Sequence, residues 1–365
     1  MFSTASGIIT AAFPPAERGK ALGLNVSGVY LGLTLGPVVG GVISNVSAGS
    51  WRWIFFINVP IAVITILAGW TLLRAEGRDR RGVPKSPAHI DWAGAALLGA
   101  VLVALFVPLT FSPLWGWASA RTLVPLALTV VFLAAFVLVE RKVEQPVVPL
   151  GLVTKNRAFA AGNSAALLNY LAVFAVATLV AVYLEVVDGY SPQQTGLLLL
   201  IQPVIMAVLS PLTGRLSDKV GSRVLATAGM VLVAAGMAQL AFIGDSLGRV
   251  LPALGTIGIG MAIFSAPNIS AVMGSVDRSQ LNLASGFLAT MRFAGQGLSI
   301  AVLGSIAAWR LGATGARVIF FGEKGDAVHV QAFADGFRTA MIVGACLALA
   351  GAILSWLARL ERQHH

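Results

Sequence analysis

Ten apolar runs, each close to 20 residues and separated by short charged loops, leave this chain few ways to fold. A helix needs about 20 apolar residues to cross a bilayer, and only helices or closed barrels satisfy their backbone in hydrocarbon. The runs occupy 23–45, 53–73, 92–112, 121–139, 160–184, 194–213, 222–243, 248–270, 282–308 and 336–358. They predict an all-α, polytopic membrane helical bundle. Only 11% of the 365 residues are charged, against about a quarter in a soluble domain. That leaves too few to coat a water-facing surface. Residues 2–13 are apolar but too short to cross, and they lack the basic start and cleavage site of a signal peptide. They read as the last half of a helix whose beginning lies outside the chain.

A net charge of +10 would suggest nucleic acid as the partner of a soluble protein. Here the distribution of the charge gives another explanation. If 14–22 is cytoplasmic, alternate loops should collect the Lys and Arg, and they do. Arg18 and Lys20 are followed by Arg74, Arg78, Arg80, Arg81 and Lys85, then by Arg141, Lys142, Lys155 and Arg157. Arg215, Lys219 and Arg223, then Arg278, then Arg359 and Arg362 complete the set. The opposite loops hold only Arg52, Arg121, Arg249, Arg310, Arg317 and Lys324. This bias puts the C-terminus inside, in the cell inner (cytoplasmic) membrane, and makes anionic lipid headgroups the partner of the basic loops. No nucleic acid is expected. One cysteine, Cys346, can form no disulfide within the chain and leaves the redox compartment unreadable.

The sequence also repeats itself. Residues 17–41 begin with Glu17-Arg18 and run into a glycine-rich helix; residues 277–304 begin with Asp277-Arg278 and do the same. After a three-residue insertion, Gly23 matches Gly286, Ser27 matches Thr290 and Gly32 matches Gly295. Transporters are often built from repeated halves. The second copy is followed by one further span, so by symmetry the first half closes at 53–73. That divides the chain into a remnant of an N-terminal half (1–73), a basic linker (74–91), an inserted helix pair (92–140), a second linker (141–159) and a complete six-helix half (160–365). Roughly three and a half helices of the first half are then missing from the chain.

Three stretches carry a family resemblance. They are Gly32-Leu-Thr-Leu-Gly36-Pro37-Val-Val-Gly40-Gly41, Trp51-Arg52-Trp53-Ile-Phe55-Phe-Ile-Asn58-Val-Pro60 and Gly214-Arg-Leu-Ser-Asp218-Lys219-Val-Gly221-Ser-Arg223. Together with Pro14-Pro15-Ala-Glu17-Arg18-Gly19, they resemble the fourteen-span drug:proton antiporter branch of the major facilitator superfamily. The resemblance implies proton-coupled efflux of drug-like or amphipathic small molecules by alternating access, with protons and a small-molecule substrate as partners. It implies no enzyme activity. The residues agree, because His89, His329, His364 and His365 lack metal-ligand spacing and no nucleotide-binding glycine loop is present. No cofactor or metal is expected, and any transport would be ion-driven. Two other readings stay open: a non-transporting truncated membrane fragment or interaction module, and a channel, which has no filter-like loop in its favour.

The candidate site residues follow from position. Gly28, Gly32, Gly36 and Gly40 recur every fourth residue along one helix face, with Pro37 and Gly41 beside them. That face predicts close approach of a neighbouring helix; the resemblance makes it the antiporter motif, and ordinary small-residue packing is the alternative. In the loop at 214–223, Gly214 and Gly221 should allow a tight turn. Asp218 should cap the helix beginning near 222, while Arg215, Lys219 and Arg223 pair with it or with another helix end. This is a cytoplasmic gate latch or simply a capped turn. Arg292 falls near mid-membrane with no acidic residue at that depth, and an intramembrane charge is a functional hypothesis by default. Its partner is expected among the missing helices, with a snorkelling anchor as the alternative. Asn169, Tyr170, Gln202, Asn268 and Gln296 are candidates for lining a substrate cavity, or for bonding one helix to another.

Overall fold

The computed structural model describes residues 2–44, 52–72, 91–143, 148, 150–242, 247–311 and 327–357. Among these, every regular element is helical. The 11-residue α1 (Phe2–Ala12) and the 27-residue α2 (Arg18–Ser44) come first. They are followed by α3 (Trp53–Phe56), α4 (Asn58–Leu72), α5 (Trp92–Trp115) and α6 (Ala120–Glu140). Then come α7 (Leu150–Lys155), α8 (Arg157–Val173), α9 (Val176–Val186), α10 (Pro192–Leu199) and α11 (Ile201–Val220). The chain closes with α12 (Ser222–Ala241), α13 (Leu247–Gly274), α14 (Leu281–Ala308) and α15 (Ala327–Leu357).

Eight spans among the described residues are long and apolar enough to cross a membrane. They coincide with the last eight of the ten expected from sequence. Of the first two, the described part of 23–45 lies in α2, some of whose side chains fall outside the described residues, and that of 53–73 forms α3 and the 15-residue α4. Two spans are each made of a pair of helices: α8 with α9, and α10 with α11. The break at Ala175 leaves its N–H without a helical acceptor, and Ser299 Oγ of α14 accepts it at 2.8 Å. In hydrocarbon a freed backbone group needs such a partner.

The helix starts follow from local capping. Asp91 Oδ1 accepts the Gly94 N–H at 2.8 Å to begin α5, and Asn156 Oδ1 accepts that of Phe159 at 2.9 Å to begin α8. Ser191 and Gln194 form a reciprocal capping box ahead of α10, with Pro192 in the first turn. Between α11 and α12 the chain turns at Gly221, whose φ of +97° only glycine adopts without strain.

The chain divides into two units, residues 1–30 with 91–365, and residues 31–90. In the larger unit, a single core of Phe159, Phe264, Phe333, Phe337 and smaller side chains joins α8, α9 and α11–α15. The approach of its helices depends on glycine. A Cβ on Gly229 would lie 2.6 Å from the Gly260 carbonyl oxygen, and one on Gly260 would lie 2.7 Å from that of Gly229, which locks α12 to α13. The inserted pair packs α5 on α6 and docks through α5 onto α14. Phe106 lies on Gly297, and Ser305 Oγ donates to the Leu109 carbonyl at 2.6 Å. At the end of α6, Glu140 Oε1 accepts the Val148 N–H at 2.9 Å, so this buried carboxylate ties down the linker that follows. In the unit at 31–90, α4 exposes Ile64 and Trp70, and the Trp53 and Phe56 rings of α3 lie 5.6 Å apart at a tilt of 58°. The expected basic linker at 74–91 lies almost entirely outside the described residues.

The mutual contact of Gly229 and Gly260 makes a direct prediction. Gly229→Val should destabilise the purified protein by about 1–3 kcal/mol, the usual cost of overpacking, and lower its melting temperature in detergent. Gly28→Ala, where a Cβ meets nothing within 4 Å, should leave the melting temperature unchanged. Equal effects of the two substitutions would refute the assignment.

Candidate functional site

Helix α2 carries small residues at Gly19, Gly23 and Ser27, and α11 answers with Ala207, Ser210, Gly214 and Ser217. With so little side chain between them, the two backbones meet. A Cβ on Gly214 would overlap the Gly19 carbonyl, and one on Gly23 would lie 2.5 Å from the Ser210 carbonyl oxygen. Ser27 Oγ donates to the Ala207 carbonyl further along. The start of α2 lies beside the end of α11, where Asp218 sits. Asp218 Oδ1 accepts the Gly19 N–H at 2.8 Å and Oδ2 accepts the Lys20 N–H at 3.1 Å. The first N–H groups of a helix have no partner within it. A carboxylate there gains charge-assisted bonds and the favourable end of the helix dipole.

This corrects two expectations. Asp218 does not cap α12: that helix starts at Gly221 with no side-chain cap, and Asp218 reaches across to α2 instead. Gly214 is not part of the turn either. It lies inside α11 and serves close approach to Gly19, while Gly221 alone makes the turn. Close approach of α2 to α11 occurs at Gly19 and Gly23, and a Cβ on Gly28 meets nothing within 4 Å; Gly32 and Gly36 belong to the unit at 31–90. Pro37, Gly40 and Gly41 lie within α2, and their surroundings fall outside the described residues.

A second contact closes the same end of the molecule. Gly7 of α1 lies against the start of α14, where a Cβ would stand 3.2 Å from Asn282 Oδ1 and from the Leu281 carbonyl oxygen. Arg18 and Arg278, which hold matching places in the two repeat copies, lie near each other there. Burial, and secondly the like charge of Arg278, pull the Arg18 guanidinium below its ordinary range. Arg18 Nε also donates to the Phe13 carbonyl at 3.2 Å.

Deeper in the bundle, four helices contribute one polar side chain each to a cluster. Arg292 sits eleven residues beyond the start of α14, roughly 16 Å along it at 1.5 Å per residue. Gly295, on the same face of α14, would place a Cβ 2.6 Å from the Leu167 carbonyl oxygen and 3.0 Å from Tyr170 Cβ. That close approach to α8 brings the Arg292 guanidinium over the Tyr170 ring, 4.8 Å from its centre, within cation–π range. Tyr30 of α2 stands against Tyr170, Arg292 and Ser265 of α13. Sequence reasoning missed Tyr30 and Ser265. Tyr30 could have been found by asking of α2 what was asked of Tyr170, because a tyrosine in mid-span needs a partner for its hydroxyl.

The remaining candidates scatter. Asn169 is fully buried and its Nδ2 points to Met230 Sδ at 3.0 Å, inside the packing of α8 on α12 rather than in the cluster. Asn268 is buried and lines a small cavity together with Arg223. Gln202 and Gln296 are half-buried, the first with its backbone against Gly258. Lys219 and Arg215 are exposed, and Arg223 lies over the Trp356 ring at 4.4 Å. Among the described residues, no group of three or more His, Cys, Asp or Glu gathers in a way that could hold a metal ion.

The clasp on α2 can be tested by itself. Asp218→Asn removes the charge and halves the acceptors offered to Gly19 and Lys20, which should cost about 1 kcal/mol. Hydrogen exchange at the first turn of α2 should accelerate severalfold, with α12 unaffected. Faster exchange at α12 instead would show that the sequence expectation was right and the cap assigned here wrong.

Comparison with known proteins agrees with this architecture. The family model described as Major Facilitator Superfamily matches residues 1–300 and, in a second overlapping match, residues 163–365. The multidrug resistance protein Stp of Mycobacterium tuberculosis is 31% identical over 313 residues, covering 85% of this chain and 57% of its own length. The riboflavin transporter RibZ of Clostridioides difficile is 31% identical over 296 residues, covering 80% and 61%. The tetracenomycin C resistance and export protein of Streptomyces glaucescens is 28% identical over 314 residues, covering 86% and 57%. The chain thus spans well under two thirds of the length of these relatives. Its helical bundle, its spans and the family match over essentially all its residues lead to one conclusion: the chain belongs to the major facilitator superfamily.

Proposed function

We propose that this chain forms the greater part of a proton-coupled exporter of drug-like or amphipathic small molecules that works by alternating access. The observation that carries the reading is the clasp between Asp218 and the start of α2. Hydrogen bonds from Gly19 and Lys20 join two helices at one end of the bundle through contacts that can be broken and remade. Relatives named for multidrug resistance, riboflavin transport and tetracenomycin C export support a small-molecule cargo.

In this reading the basic end of the bundle is cytoplasmic, as is the C-terminus, and its loops lie against anionic headgroups of the inner membrane. The clasp and the contact of Gly7 with α14 hold that end shut. Beyond them, the Arg292–Tyr170–Tyr30 cluster meets the cargo. The stacking of Arg292 on Tyr170 gives a cationic, aromatic surface for flat or anionic groups. Opening towards the cytoplasm breaks the Asp218 clasp and parts α2 from α11. The glycines of α2 from Gly32 to Gly41 bend or seal that helix during the exchange.

Transport in proteoliposomes tests the reading. Vesicles containing the intact protein, given an imposed proton gradient, should accumulate a lipophilic fluorescent dye, and collapse of the gradient should stop accumulation. Arg292→Ala should lower the initial rate at least tenfold while the protein stays folded by circular dichroism. Dye movement that ignores the gradient would refute proton coupling, and a normal rate in Arg292→Ala would remove the cluster from the mechanism.

A further inference from the structure

The basic end of the larger unit holds a feature that the transport reading does not use. The first turns of α8 and α12 and the last turns of α13 and α15 enclose a small cavity lined by Ala158, Gly162, Arg223, Asn268, Ala271 and Ser355. Its free volume is about 20 Å³, room for a single water-sized group. Small residues make that room. Gly162 has no side chain because a Cβ would meet Val272 Cγ2 at 2.6 Å, and Ala158 and Ala271 keep the walls back.

The polar lining is one-sided. Arg223 supplies the charge, and its buried Nε makes no hydrogen bond. A guanidinium offers five donors and no acceptor. Asn268 and Ser355 are 3% and 5% exposed and add an amide and a hydroxyl. Among the described residues, no carboxylate lines the cavity. Such a lining selects an anion with compact oxygens. The outer side of the guanidinium lies on the Trp356 ring, 4.4 Å from its centre, and Trp356 is 53% exposed at the end of α15. A tryptophan exposed at the end of a membrane helix lies at headgroup depth, so the mouth of the cavity opens where lipid phosphates are.

We propose that this cavity is a phosphate-binding site filled by the headgroup of an anionic phospholipid. One non-bridging phosphate oxygen enters the cavity and accepts from Arg223, Asn268 and Ser355, while the glycerol and chains pass over Trp356 into the leaflet. The site is distinct from the Arg292 cluster and does not depend on the transport reading. It stands across the Gly221 turn from Asp218, so a bound lipid steadies the turn that carries the clasp on α2.

The test uses the delipidated full chain in detergent, with melting temperature and native mass spectrometry as readouts. Short-chain phosphatidylglycerol should raise the melting temperature by several degrees and remain bound in the mass spectrum. Phosphatidylcholine of the same chain length should do neither to a comparable degree, and millimolar inorganic phosphate should give at most a small part of the shift. Arg223→Gln should abolish the response to phosphatidylglycerol, and Arg121→Gln, an equal loss of charge at the opposite end of the bundle, should keep it. If Arg223→Gln does not fold, Ala271→Leu fills the cavity without touching a charge and should abolish the response in the same way. An unchanged response in these variants would overturn the site. Inorganic phosphate reproducing the whole shift would overturn the lipid as its source, and an equal response to phosphatidylcholine would overturn the anion selectivity.

Discussion

Helices in hydrocarbon have no hydrophobic drive to associate, because lipid tails are as apolar as leucine. What holds them together is contact close enough for dispersion and short polar bonds to accumulate, and that requires missing side chains. This constraint explains most of the described structure. Gly229 and Gly260 bring α12 onto α13, and Gly336 brings α15 onto the Ala307 end of α14. Gly295 does the same for α14 and α8, with a consequence for chemistry, since it is this approach that sets Arg292 over Tyr170. Gly19 and Gly214 let α2 and α11 touch by backbone, and only at that separation can Asp218 reach the first N–H groups of α2.

The spans and the turn at Gly221 were legible because both are local. Hydropathy over 20 residues reports burial in lipid, and a glycine between two apolar runs reports a positive φ. The partner of Asp218 was not legible. It lies 199 residues away in sequence, and the nearer helix start at Ser222 offered itself as the obvious cap. Gly214 was misread for the same reason, since its neighbour Gly19 belongs to another helix. The small-residue stripe of α2 was visible, but its period continues through Gly19, Gly23, Ser27 and on to Gly28, Gly32 and Gly36 on shifted faces. Which face meets a neighbour depends on helix rotation, which one sequence does not report. Arg292 announced itself by its charge, whereas Ser265 became notable only when the other helices were placed around it.

The clasp and the cluster share their helices. α2 supplies both the N–H groups held by Asp218 and, three turns on, Tyr30. α14 supplies the partner of Gly7 at its start and Arg292 in mid-span. The end and the middle of the bundle are thus joined by two continuous helices. The inserted pair touches this arrangement from outside: Phe106 of α5 sits on Gly297, on the same helix as Arg292.

The proximity of Arg18 and Arg278 has its own consequence. Two like charges held near each other oppose the approach of the start of α2 to the turn just before α14. Such repulsion between partly exposed groups is screened over about 8 Å at physiological ionic strength, and over about 30 Å in dilute buffer. Mobile ions that screen the pair thus ease the approach of the start of α2 to the segment before α14. The closed end of this bundle is in that sense tuned by the electrolyte that bathes it.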